Sequence, residues 1–149
     1  MTIQQSLDGN WDLRQVVTQS KNTDLIVPDW IQAKVPGEVY LDLLNANLIP
    51  DPFIGENADS VQWVSRSDWE YRKIFNIERS MINLDKIYLC CEGLDTIAII
   101  ILNNSIIFKS DNMFREYRWE IKSNLNIGTN ELRIQFTSPI QVAVNANEK

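Results

Sequence analysis

Histidine is absent from the 149 residues of this chain. That absence removes the Ser-His-Asp and Cys-His nucleophile arrangements and the imidazole ligands of most transition-metal sites. Cysteine is scarce, and its two copies, Cys90 and Cys91, are neighbours. Adjacent Cα atoms lie about 3.8 Å apart, closer than ordinary disulfide geometry accepts, so the pair is expected as two reduced thiols packed beside a core, in a reducing compartment. Basic residues are the minority, 14 against 20 acids for a net charge of −6, and they are scattered singly. A nucleic-acid backbone needs clustered Lys and Arg, so no nucleic-acid partner is expected. Long apolar runs are missing too. The longest, Ile97–Leu102, has the length of a strand and falls far short of a membrane span, so no membrane partner is expected. The first residues lack the basic and apolar regions of a signal peptide, which makes the cytoplasm the expected location. A lysosomal or secreted location is the alternative, should a signal peptide have been removed. No glycine-rich phosphate loop occurs, since Gly93-Leu94-Asp95 offers a single glycine at a strand junction.

What is present is period-two alternation. Trp11 and Leu13 alternate with Asp12 and Arg14. Trp69, Tyr71, Phe75 and Ile77 oppose Glu70, Arg72 and Asn76. Tyr117, Trp119 and Ile121 oppose Arg118, Glu120 and Lys122, and Leu132, Ile134 and Phe136 oppose Glu131, Arg133 and Gln135. Each reads as a strand with one buried and one wet face, the pattern of antiparallel sheets. Ile97–Leu102 is apolar on both faces, which predicts a central strand covered on both sides. Asn103-Asn104 then predicts a tight hairpin into 106–109, because Asn tolerates positive φ, and Gly128-Thr129-Asn130 is a second turn signal. One short helix is expected near 38–47. Val39, Tyr40, Leu43 and Leu44 share a helical face, Glu38 falls in the first turn, Asn47 suits a left-handed C-terminal position, and Pro50 blocks continuation. The pattern lapses over 50–68, and a connection of that length is usually functional or packed on a neighbour. Seven or eight strands with one helix predict an all-β sandwich.

Three constellations could carry chemistry. Asp51, Glu56, Asp59 and Asp68 cluster in the irregular segment, with Asp111 and Glu116 beside another loop. Glycoside hydrolysis needs two carboxylates at a defined separation, and nothing in this spacing fixes such a pair. Solvated loop carboxylates and turn caps are the expectation. The stretch from Asp51 to Asp59 lacks the ligand spacing of a calcium loop, so neither a metal nor a cofactor is expected. Five tryptophans invite sugar stacking. Trp11, Trp69 and Trp119 fall within alternating strands and read as core. Trp30, just before a short strand, fits either role. Trp63, beside Gln62 and Ser65 in the irregular segment, is the one plausible ligand contact, with a docked interface as its competing role.

In order along the chain stand Leu7-Asp8-Gly9-Asn10-Trp11, Val35-Pro36-Gly37 with Asp42-Leu43, Leu48-Ile49-Pro50-Asp51-Pro52 with Gly55 and Asn57, and Trp63-Val64 with Asp68-Trp69-Glu70-Tyr71. Gly93-Leu94-Asp95-Thr96, Leu102-Asn103, Asn112-Met113-Phe114, Gly128 with Asn130-Glu131-Leu132, and Ser138-Pro139 follow. Each motif alone is weak; in this order over 7–143 they resemble the amino-terminal domain of the β-mannosidases of glycoside hydrolase family 2. The resemblance implies a jelly-roll β-sandwich similar to galactose-binding domains, at the start of a retaining enzyme that removes terminal non-reducing β-D-mannose. The family's two catalytic glutamates lie in a downstream TIM barrel of about 250 residues, which 149 residues cannot contain. The family's sandwich also continues to a Trp-Asp-Trp stretch that is not found here. The expectation is therefore a single, shortened β-sandwich domain over 1–149, with no catalytic residue of its own and the barrel of the same polypeptide as partner. β-Mannoside would be met only through the whole enzyme. Asn57, Trp63 and Asp68 are the candidates for approach to substrate at the barrel's rim; the competing expectation is that they cap turns and dock. A stand-alone carbohydrate-binding module and a domain that self-associates through its apolar faces are the alternatives. The sequence does not give an oligomeric state.

Overall fold

The computed structural model describes residues 3–16, 25–92, 97–110 and 116–137. The turn at 93–96, the Asn112-Met113-Phe114 stretch and Ser138-Pro139 lie outside the described residues, as does Asp111 among the loop carboxylates. The chain forms two compact units, one chiefly of residues 8–71 and the other chiefly of 72–136.

In the first unit, β1 (Gly9–Val16) pairs antiparallel with β2 (Ile31–Val35), Trp11 standing opposite Ala33 and Leu13 opposite Ile31. The alternation holds, since Trp11, Leu13 and Gln15 are the buried positions of β1. The polar Gln15 takes the place where a third apolar residue would be expected. A Val35-Pro36 cis peptide follows β2, and α1 (Val39–Asn45) comes next with Glu38 as its extended N-cap residue, one position outside the helix. Asn47 adopts φ 59°, the left-handed position that ends the helix. Leu43 is fully buried, whereas Val39, Tyr40 and Leu44 are half-buried. The irregular stretch contains two single-turn helices, α2 (Asn57–Ser60) and α3 (Trp63–Arg66), before β3 (Asp68–Ile77) begins. Strand order in this unit runs β2-β1-β3.

The second unit takes up β3, passes through a one-turn α4 (Arg79–Ile82), and continues into β4 (Tyr88–Glu92), β5 (Ile97–Leu102) and β6 (Ser105–Ser110). After β7 (Glu116–Glu120), a 3-10 turn at Lys122–Asn124 leads to β8 (Gly128–Thr137). Its strands run β3-β8-β5-β6, with β4-β7 as a separate antiparallel pair. The doubly apolar β5 lies between β8 and β6, as its composition predicts, with Ala98, Ile100, Ile101 and Leu102 buried. Asn103 and Asn104 turn the chain into β6 at φ 49° and 69°. Inward residues of β7 and β6 form an aromatic cluster in which Tyr117 and Trp119 stack at 5.3 Å and Phe108 meets Trp119 at 4.7 Å. Full burial of a side chain such as Ile100 or Leu102 contributes roughly 1.5–3 kcal/mol.

The β4 cysteines are free, as their spacing implies, but only Cys91 is half-buried; Cys90 is exposed. Period two on a strand puts them on opposite faces, and β4 has one wet face. Burial, with Cys90 adding to it, pushes the Cys91 thiol up to about 11.

Candidate functional site

The 50–68 segment carries all three residues nominated from sequence, and its backbone is organised by short side-chain bridges. Asp51 begins it: its Oδ1 accepts from the Phe53 N–H at 2.9 Å, and its carbonyl accepts from the Ile54 N–H at 3.2 Å. This is an Asx turn, with Pro52 fixing φ in between. Gly55 takes φ 58°, a value that L side chains rarely adopt. Asn57 closes the turn, donating from Nδ2 to the Asp51 carbonyl at 3.0 Å and from its backbone N–H to Ile54 O at 3.2 Å. It is half-buried and heads α2. Its side chain acts as a strut.

Trp63 opens α3 and is half-buried, its ring tilted 40° against that of buried Trp69 at a centroid distance of 6.0 Å. The two tryptophans are fixed by polar groups. Trp69 Nε1–H donates to Val64 O at 2.9 Å, and the Ser67 hydroxyl donates to Trp63 O at 2.8 Å. Gln15, buried on β1, reaches this segment by donating from Nε2 to Ser67 Oγ at 2.9 Å. Its Oε1 accepts from the N–H groups of Ile26 (2.7 Å) and Val27 (3.0 Å), so one amide ties an extended segment, a strand and a helix end together. Asp68, the third nominee, is only 2% exposed, as the first residue of β3. The structure thus brings Trp63 and Asp68 to the α3–β3 junction, while Asn57 belongs to the preceding turn.

The opening of β3 departs from its expected alternation. Asp68, Trp69, Glu70 and Tyr71 are all buried, and Glu70, expected on a wet face, has 0% exposure. A carboxylate so placed needs a cation. Arg14 supplies it, donating to Glu70 Oε1 from Nε at 3.1 Å and from a terminal nitrogen at 2.9 Å, while its guanidinium stacks 4.2 Å from the Trp30 ring. Trp30 is half-buried in that stack. A second buried carboxylate, Asp42 on α1, accepts the Lys34 N–H at Oδ1 (3.1 Å), while its Oδ2 meets no hydrogen-bond donor among the described residues. Burial raises its pKa above the usual carboxylate value, with Glu38 adding to the effect and the Lys34 hydrogen bond opposing it. Tyr71 is likewise pushed up, by burial first and then by the charges of Asp42 and Glu38.

Asp42, Asp68 and Glu70 are enclosed, at 4%, 2% and 0% exposure. Among the described residues no group of three or more His, Cys, Asp or Glu is placed to hold a metal. Sequence reasoning missed Gln15, Ser67 and the Arg14–Glu70 pair. Only Gln15 left a signal, as a polar residue in phase with Trp11 and Leu13. Among the described residues no helix is long and apolar enough to cross a membrane.

Among the described residues, antiparallel strand pairs, one helix longer than one turn and a polar-braced connecting segment fit a β-sandwich module of the galactose-binding-like class. The sequence matches the family described as Glycosyl hydrolase 2 galactose-binding domain-like over residues 11–149, and the chain belongs to that family. It is 41% identical over 138 residues to "Beta-mannosidase B" of Thermothelomyces thermophilus, covering 89% of this chain and 15% of that protein. It is 35% identical over 144 residues to "Beta-mannosidase" of Bos taurus, covering 97% of this chain and again 15% of the relative. Among solved structures, the β-D-mannosidase of Dictyoglomus thermophilum superposes with a TM-score of 0.85 at 40% identity, over 96% of this chain and 16% of that one. The chain therefore spans about 15% of the length of the curated relatives it matches. The exo-chitosanase CsxA of Amycolatopsis orientalis, with a TM-score of 0.71 at 17% identity, shares the fold alone.

Proposed function

We propose that this chain is the non-catalytic amino-terminal sandwich of a β-mannosidase, an enzyme that removes terminal non-reducing β-D-mannose from β-mannosides. Its task is to brace the catalytic barrel of the same polypeptide and to edge the active site. The observation that carries this reading is the identity to proteins named β-mannosidases along nearly the whole chain. The enclosure of Asp42, Asp68 and Glu70 agrees with it, because retaining hydrolysis needs two carboxyl groups open to the sugar, and on this reading the barrel provides them. Trp63, with its ring half-open, is assigned to the edge of the site. Asn57 and Asp68 act through the segment they hold.

The test uses the full-length translation product of this reading frame. It should hydrolyse an aryl β-D-mannoside in preference to the corresponding β-D-glucuronide and β-D-glucosaminide. Trp63→Ala should lower kcat/KM about tenfold, which corresponds to about 1.4 kcal/mol of transition-state stabilisation, with a smaller effect on melting, and Trp63→Phe should restore most of the activity. Parallel loss of stability and activity, or no change in either, would return Trp63 to the scaffold. Calorimetric heat on titrating the 149-residue chain with millimolar mannose would favour a stand-alone binding module instead.

A further inference from the structure

The 51–57 turn presents Phe53 with 94% of its surface exposed and Ile54 with 63% exposed, the most open large apolar residues among those described in the first unit. Single exposed apolar side chains are common on protein surfaces. These two differ in how they are held. The Asx turn at Asp51, the Asn57 strut and Gly55 at φ 58° fix the backbone on both sides of the pair, and Pro52 fixes φ directly before it. Apolar anchors displayed in a preset direction lose little conformational freedom on docking, which is the property of interface hot spots. The surroundings narrow the occupant. Between Lys34 and Arg66 the chain carries five carboxylates, at Glu38, Asp42, Asp51, Glu56 and Asp59, and no Lys or Arg. Glu56 and Asp59 are exposed close to the pair. A second copy presenting this same face would bring like charges together, which disfavours a symmetric contact here.

We propose that Phe53 and Ile54 form a docking knob that seats in an apolar, carboxylate-free socket on the part of the same polypeptide that follows residue 149. The inference rests on the function proposed above, in which the chain works as one section of a protein of the relatives' length; those relatives extend well beyond the 15% that this chain covers. On this view Asn57, nominated from sequence as substrate-proximal, serves by aiming the knob.

The photoreactive residue p-benzoylphenylalanine, placed at position 53 and in a second variant at position 54 of the full-length product, tests the contact. The expected result is an intramolecular cross-link, from at least one position, to a peptide beyond residue 149. Adding Asn57→Ala should lower the yield severalfold. A link to a second copy, links confined to the first 149 residues, or no link from either position would overturn the proposal. Activity towards an aryl β-D-mannoside, measured on the same preparations, separates the two claims. An active protein with no such link sinks the knob and leaves the proposed function standing. An inactive protein in which the link forms sinks the function.

Discussion

At Asp42 the chain encloses a carboxyl group with one oxygen bonded to the Lys34 N–H and the other facing no donor among the described residues. Burial disfavours its ionised form, and the exposed Glu38 carboxylate adds to that, so the folded state holds the proton more tightly than the unfolded chain, where the group titrates near 3.8. Stability from this group is complete below 3.8 and declines as pH rises through the higher folded value. Asp42→Asn removes the titration. The stability of Asn over Asp should therefore grow as pH rises from about 3 to 7, read by denaturant melts at each pH; a difference that stays flat would mean the group ionises freely in the folded state. Glu70 is the opposite case, a buried carboxylate provided with a cation. Arg14→Ala should cost about 2–3 kcal/mol, below the upper range for buried pairs because the Arg14 side chain is 34% exposed. Glu70→Gln, which keeps an acceptor for Arg14 while removing both charge and charge cost, should cost about 1 kcal/mol.

At the scale of elements, the β5–β6 hairpin shows two adjacent asparagines performing different tasks. Both adopt positive φ. Asn103 also donates from Nδ2 to Asn124 O at 2.7 Å and to Asn130 Oδ1 at 2.9 Å, and its Oδ1 accepts the Glu131 N–H. Asn130, 1% exposed, then accepts from the Asn126 N–H and donates to the carbonyls of Asn126 and Gly128. Asn104→Gly should be neutral within about 0.5 kcal/mol, because glycine suits the turn. Asn103→Gly keeps the turn and loses the bridge, and should cost about 2 kcal/mol. Equal effects in a urea titration would mean that backbone conformation alone sets the hairpin. The turn itself was legible in the sequence because φ tolerance is a local property, and so was the inner position of β5 between two strands, although its Ile97 and Ile99 are only half-buried. The start of β3 was not, since Glu70 is buried by a partner 56 residues away. Helices α2 and α3 were illegible for another reason: one turn is too short to show a period, and each is held by side-chain bridges, Asn57 to the Asp51 carbonyl for α2 and Gln15 through Ser67 for α3. Within the candidate site, the placement of Trp63 in a non-repetitive segment could be read from the sequence. The support of that segment by Gln15 and Ser67 could not, because amide and hydroxyl side chains mark their partners by geometry and not by pattern.

On the scale of the whole molecule, the turn at 51–57 separates what stabilises this chain from what stabilises a protein of its relatives' length. Phe53 is almost fully in water here, so Phe53→Ser removes almost no buried surface within the 149 residues. Its effect on the unfolding of the chain alone should stay within about 0.5 kcal/mol. If the ring enters a socket elsewhere on a longer polypeptide, the same substitution removes roughly 2 kcal/mol of burial there, which lowers the melting temperature of this section by about 4–8 °C. The sign of the comparison matters more than its size. A buried core residue such as Leu43 would be costly in both settings, whereas a docking residue is costly only in the longer one. Differential scanning calorimetry of both lengths, each with and without Phe53→Ser, reads the difference directly. Matching small shifts in the two lengths would mean that the ring stays in water throughout, and that the bracing contact is made by another face of the sandwich.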